Sequence, residues 1–185
     1  SSFGNEDHHI KQIKTKLIEL STCEIFTIRI HANEVLKVFL TSFPEFLTET
    51  IEGSLAALTK DFNLSEKFPF SRNHGHALII ANLIDSADKD YVSYELIMRT
   101  TVFATSFIKN HTTSTGSTLY YKGIICWILL IGLVNYNDEQ YLMMQSSQIF
   151  LFWKVLLTHS FGYRDEDDLY KNLEIRNHAL TCLLT

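Results

Sequence analysis

Apolar residues recur every three or four positions along most of the chain, the spacing that gathers them on one face of an α-helix. Ile10, Ile13, Leu17 and Leu20 form the first such stripe, over a helix from about Asn5 to Leu20, with Lys11, Lys14, Lys16 and Glu19 on the wet side. Asn5 suits its N-cap, and Glu6 and Asp7 fall in the first turn, where the helix dipole favours negative charge. From Cys23 to Phe43 the pattern reads two ways. Ile25 to Ile30 alternates and is β-branched, as in a strand, but no partner strand is visible elsewhere. A lone strand is unstable, so a helix covering at least Ala32 to Thr41 is expected. Pro44 fits the first turn of the next helix, where its missing N–H would have no partner anyway. Phe46, Leu47, Ile51, Leu55 and Leu58 supply that helix with a buried face.

Asp61 to Asn73, with Pro69, reads as a loop, and a short helix is expected from His74 or Gly75 to Ile84. After the polar link Asp85 to Asp90, Tyr91 to Lys109 makes a longer helix whose apolar face includes Tyr94, Ile97, Thr101, Ala104 and Ile108. Asn110 to Ser117 reads as a solvated turn and the best place for a proteolytic nick. Leu119 to Val134 is the most apolar helix. A tight link at Asn135 to Asp138 leads into Glu139 to His159, with Leu142, Ser146, Ile149, Phe150, Trp153, Leu156 and Leu157 on one stripe. Phe161 to Asp168 is an acidic loop and Leu169 to Leu184 a last helix.

That makes about eight helices, in pairs of roughly 40 to 47 residues, the size of a HEAT or armadillo unit. One pair cannot cover its own apolar face, so pairs stack and share a continuous core. The predicted fold class is all-α, a HEAT/armadillo-like helical-repeat solenoid, with residues 1–185 as a single segment. A helical bundle or globin-like fold is the alternative. The start at Ser1 without an initiator Met and the apolar ending Ala179 to Leu184 read as cut ends of a longer chain.

Composition narrows the function. With only two prolines and seven glycines there are too few breakers for an all-β fold. A net charge of -5 argues against a nucleic-acid partner, which needs a basic stripe to neutralise phosphates. The longest apolar run, Gly123 to Val134, falls short of the ~20 residues needed to cross a bilayer, so no direct membrane insertion is expected. Cys23, Cys126 and Cys182 are odd in number and widely spaced, as reduced and mostly buried thiols are.

The sequence carries no recognisable catalytic chemistry. His74 and His76 are two apart and cannot share a helix face, so they read as a helix start in which Gly75 permits close packing. Asp165, Glu166, Asp167 and Asp168 lack the alternating ligands and glycine of an EF-hand. They read as a solvated loop capping the last helix and as a candidate interaction surface for a basic peptide. No phosphate-binding glycine loop, nucleophile elbow or zinc-protease motif occurs. No catalytic residue, metal or cofactor is expected, and the chain is read as non-enzymatic. Phe103 with Phe107, and Phe150 with Trp153, sit at helical spacing and read as core, the alternative being a groove for an apolar peptide.

Four phrases carry a family resemblance: His74 to Leu83, Lys122 to Leu133, Phe150 to Lys154 and Asn172 to Leu180. In this order and spacing they resemble the HEAT-repeat-containing protein 5 family, whose fungal members are large accessory proteins of the type-1 clathrin adaptor complex. The resemblance runs from Arg72 to Leu184. The chain departs from the family pattern at Ile124, Ile125 and Cys126, and at Asn177 and His178, where smaller residues are usual. The resemblance implies a non-enzymatic scaffold in clathrin-adaptor-dependent vesicle traffic between the trans-Golgi network and endosomes. Its partners would be the adaptor complex and accessory proteins of the aftiphilin and gamma-synergin type. Attachment to those membranes and to clathrin-coated vesicles would be peripheral, from the cytoplasm, with a homodimer of the parent chain among the implied assemblies. The matched residues have structural roles: Trp127, Trp153, Gly75 and Leu173 are the expected core. Other readings are a different solenoid scaffold, such as a nuclear transport receptor, or a compact helical module for an apolar ligand.

Overall fold

A computed structural model of the chain describes residues 3–64, 68–86, 90–111, 117–136, 138–158 and 164–185. Among these residues there are eight α-helices and no strand: α1 (Phe3–Ser21), α2 (Phe26–Ser42), α3 (Leu47–Phe62), α4 (Phe70–Ser86), α5 (Tyr94–His111), α6 (Ser117–Val134), α7 (Glu139–Thr158) and α8 (Glu166–Leu184). A 3₁₀ turn, Pro44–Phe46, leads into α3. The expected nick site between Asn110 and Ser117 lies largely outside the described residues.

The helices form two rows. Each odd-numbered helix packs on its successor, making four hairpins, except that α3 is entered through the 3₁₀ turn. The even-numbered helices pack side by side, α2 on α4, α4 on α6 and α6 on α8. Contacts along this row run start to start and end to end. Phe70 stacks on Tyr121, their ring centroids 4.5 Å apart, near the first turns of α4 and α6. Ala81 meets Gly132 near their last turns. Arg29 reaches His74 and Lys37 reaches Asp85 in the same sense between α2 and α4. The even row is therefore parallel, and each hairpin repeats the one before it. Odd helices begin at Phe3, Leu47, Tyr94 and Glu139, so the repeat is 44 to 47 residues long. This is the expected all-α helical-repeat architecture rather than a closed bundle.

α4 and α6 are the middle of the row, and their composition shows why. Ala77, Ile80, Leu83 and Ile84 of α4, and Ile125, Cys126, Leu129, Leu130 and Leu133 of α6, are all buried. Apolar side chains all round a helix require neighbours all round it. Two glycines allow the close approach. A Cβ on Gly132 would lie 2.5 Å from the Ala81 Cα, and one on Gly75 would lie 2.1 Å from the Ser21 carbonyl oxygen. Gly75→Ala is expected to cost about 1–3 kcal/mol, because backbone and not a flexible side chain must give way. A Cβ on Gly53, in α3, would meet nothing within 4 Å. There the same substitution is expected to stabilise by about 0.5–1 kcal/mol through helix propensity alone. Urea denaturation of the two variants side by side checks the opposite signs.

Several local expectations change. α1 starts no later than Phe3, so Asn5 lies inside the helix and is not its N-cap. The stripe of α1 is rotated: Ile13 is 49% exposed, whereas Lys14 is buried. The ammonium of Lys14 lies over Phe46, with Nζ 4.7 Å from the ring centroid, and donates to Glu49 Oε2 at 3.0 Å, so the covered charge is met by an aromatic face and a carboxylate. Ile25 to Ile30 is no strand; α2 takes it in from Phe26 onwards. The expected loop Asp61 to Asn73 is shorter, because α3 runs to Phe62 and α4 begins at Phe70. His74 and His76 consequently sit in the body of α4 rather than at its start.

Candidate interaction surfaces

The turn between α1 and α2 is locked onto α4 by Arg29, which is 3% exposed. Its Nε donates to His74 Nδ1 at 3.1 Å, and its Nη1 donates to the Cys23 carbonyl at 2.7 Å and the Glu24 carbonyl at 3.3 Å. His74 must accept at Nδ1, so the imidazole is neutral. Burial first, then the Arg29 charge, pushes its pKa down to about 4. His76 is also held down to about 4, by burial and then by Arg72, with its Nδ1 3.2 Å from Ser54 Oγ. The His-Gly-His phrase thus ties the first two hairpins together, and among the described residues no group of three or more His, Cys, Asp or Glu side chains could hold a metal ion. A second lock is Lys122, whose Nζ donates to the Phe62 carbonyl at 2.8 Å and ties the end of α3 to α6.

The structure divides the residues expected in the core. Trp127 is 2% exposed in α6, Trp153 is 8% exposed in α7 beside the Cys182 thiol, and Gly75 is at the α1–α4 contact. Leu173 is not in the core: it is 54% exposed. α8 carries apolar residues on two faces, and it is Ala179 and Cys182 that turn inward, together with Ile175, which packs near Gly123. Phe150 is likewise corrected: it is exposed, and Phe152 takes the inward place in α7.

The acidic run is the start of α8 rather than a loop. Asp165 is the N-cap and accepts from the Asp168 backbone N–H at 2.8 Å. Asp165→Ala is expected to lower stability by about 1 kcal/mol, read as a loss of helical protection at α8 in hydrogen exchange. Asp168 is buried, its carboxylate held by Arg164 at 2.6 and 3.0 Å, so it is removed from the candidate surface. Asp167 pairs with Lys171 one turn on. Asp165, Glu166 and Asp167 remain exposed.

Two grooves open between successive odd helices, where the outer row is less tightly packed than the even row. The larger, of about 840 Å³, lies between α3 and α5, with Leu55, Met98, Val102 and Phe103 forming its apolar lining and Lys60, Glu95 and Arg99 its polar one. The smaller, of about 470 Å³, lies between α1 and α3 and reaches His76. Sequence periodicity could not show either groove, because each is made by residues some 40 positions apart. No described helix is long and apolar enough to cross a membrane.

Parallel stacking of successive hairpins, with glycines where two of them meet, is the architecture of a helical-repeat protein. No family model and no solved structure matches the chain. The chain is 68% identical, over all 185 residues, to a segment of AP-1 accessory protein LAA1 of Saccharomyces cerevisiae. It spans 9% of the length of that relative. The resemblance read from the four phrases is thus met, and it extends over residues 1–71 as well, where no phrase was matched.

Proposed function

We propose that this chain is a non-enzymatic scaffold segment that serves clathrin-adaptor-dependent vesicle traffic between the trans-Golgi network and endosomes by binding other proteins. The observation that carries the reading is the 68% identity, over the whole chain, to a protein named as an AP-1 accessory protein. The fold supports it, since stacked helices offer long rigid surfaces to partners. On this reading the partners are the type-1 clathrin adaptor complex and its accessory proteins, a homodimer of the parent chain is part of the assembly, and attachment to Golgi, endosomal and coated-vesicle membranes from the cytoplasm is indirect. The exposed carboxylates of Asp165, Glu166 and Asp167 are the surface we assign to a basic partner segment.

Affinity capture with the full-length parent protein tests the reading. Adaptor subunits among the captured proteins are the expected result, and recovery of nuclear transport cargo without them would overturn it. Changing Glu166 and Asp167 to lysine is expected to weaken capture of the basic partner while leaving the melting temperature within a few degrees, as surface substitutions do. Unaltered capture would remove the acidic surface from the proposal.

A further inference from the structure

The even helices pack flank to flank, but the odd helices α3 and α5 do not close on each other. They run in the same sense: Glu52 Oε1 lies 3.6 Å from Arg99 Nη1 near their starts, and the Phe62 and Phe103 ring centroids are 4.7 Å apart further along. Beside these contacts opens the groove of about 840 Å³. Leu55 is its buried floor, and Met98, Val102 and Phe103 give it an apolar wall. Val102 is 57% exposed although hairpins of this chain pack on both sides of its own, so its exposure does not come from an end of the row. Phe103 is braced from behind by Phe62, which Phe68 and Phe107 pack in turn. A braced aromatic beside an open apolar trough is the arrangement that anchors a partner's side chain. The α1–α3 groove lacks this character: hydroxyl and charged groups dominate its lining, and Lys14 and Glu49 already pair there.

The two ends of the groove carry opposite charges. Glu95 stands in the first turn of α5 and Lys60 in the last turn of α3, and both line the groove. Both are exposed, and neither is in an ion pair among the described residues. Walls made of helix have their backbone groups already paired, so an extended peptide laid between them would bury its own amides without partners. A helix satisfies its amides internally and turns apolar side chains at i, i+3, i+4 and i+7 into such a trough. Helices also favour acidic residues in the first turn and basic ones in the last, so Lys60 suits the start of an incoming helix and Glu95 its end. We propose that the α3–α5 groove is a docking site for an amphipathic helix of a partner protein. That helix is about three turns long, acidic at its start and basic at its end, and lies antiparallel to α3 and α5. Its apolar face covers Met98, Val102 and Phe103. The site is separate from the acidic start of α8, and it rests on the fold and on these charges, not on adaptor binding.

The test selects a display library of random peptides, roughly 16 residues long, on the full-length parent protein, with counter-selection on its Val102→Glu variant. Val102 is exposed, so the melting temperature of that variant is expected to hold within about 2 °C. The expected survivors carry large apolar residues at helical spacing, acidic residues toward the amino end and basic residues toward the carboxyl end. A fluorescein-labelled peptide of such a sequence is expected to bind Val102→Glu and Lys60→Glu at least about tenfold more weakly than the unchanged protein. Lys60→Glu combined with Glu95→Lys is expected to regain affinity, to within about threefold, for a peptide whose charged ends are exchanged. A library with no survivors overturns the proposal, as do survivors that are extended and proline-rich. Binding that ignores Lys60→Glu, or an exchanged peptide that binds the unchanged protein as tightly as the original, overturns it as well. Glu166 and Asp167 stay intact in every variant, so the groove can fail while the functional proposal stands.

Discussion

Truncating Trp127 to alanine is expected to destabilise the protein by about 3–5 kcal/mol, the usual cost of emptying a fully buried indole site. The site has little room to collapse. Trp127 sits in the middle of α6, is 2% exposed, and shares its helix with Ile125, Cys126, Leu129 and Leu130, each at 0% exposure. α6 itself is packed by α4, α5 and α8, so the cavity would lie where three helices meet rather than at a surface that can close over it. For a domain of this size the loss corresponds to a fall of roughly 10 °C in melting temperature. Trp153→Ala is the companion experiment. That side chain is 8% exposed and meets the exposed ring of Phe150 edge-on, with centroids 5.2 Å apart, so a smaller but clear fall is expected. An unchanged melting temperature for Trp153→Ala would place this residue on a binding surface.

Acid should weaken the fold well before the carboxylates titrate. His74 and His76 are both held down to about 4 in the folded chain, against an ordinary value near 6.5, and burial is the leading cause for each. Between those two values the unfolded chain binds protons that the folded chain refuses. The contribution to stability is therefore fully present above about pH 6.5 and is lost progressively as pH falls toward 4. From pH 6.5 to pH 5 the loss is about 1.5 kcal/mol per histidine. The mechanism is local and can be named. A proton on His74 Nδ1 would face the Arg29 N–H that now donates to it, and the guanidinium cannot yield its own proton. Urea denaturation at pH 7 and pH 5 checks the slope. His74→Gln with His76→Gln should flatten it, and a wild-type stability that does not change across this window would show that the two imidazoles are solvated.

Much of this architecture is legible in the order of the residues. Stripes such as Leu47, Ile51, Leu55 and Leu58 have one solution as a helix, and all four are buried. The pairing length follows from the links, and it agrees with the observed repeat. The strand-like stretch Ile25 to Ile30 is harder to read locally, since β-branched residues disfavour helix only weakly. Its conformation is settled by Arg29 reaching the α1–α2 turn and His74, an interaction across 45 positions that local propensity does not contain.

The candidate surfaces are less legible, and Leu173, Phe150 and Lys14 show why. α8 offers Leu173, Leu180 and Leu184 on one face and Ile175, Ala179 and Cys182 on another. Both satisfy a helical period, so periodicity cannot say which meets α6. Asp168 shows the same limit for charge: its position in an acidic run suggests solvent, but Arg164 folds back over it and closes it off.

By itself, then, the sequence determined that the chain is helical, where the helices fall and how they pair, because hydrogen bonding and apolar periodicity within a helix are local properties of neighbouring residues. Only the tertiary structure decided which apolar face lies inside and which is left exposed. That choice depends on the shape of the adjoining helix, on where a glycine lets two backbones approach, and on polar groups dozens of residues away that must find each other before they can be buried.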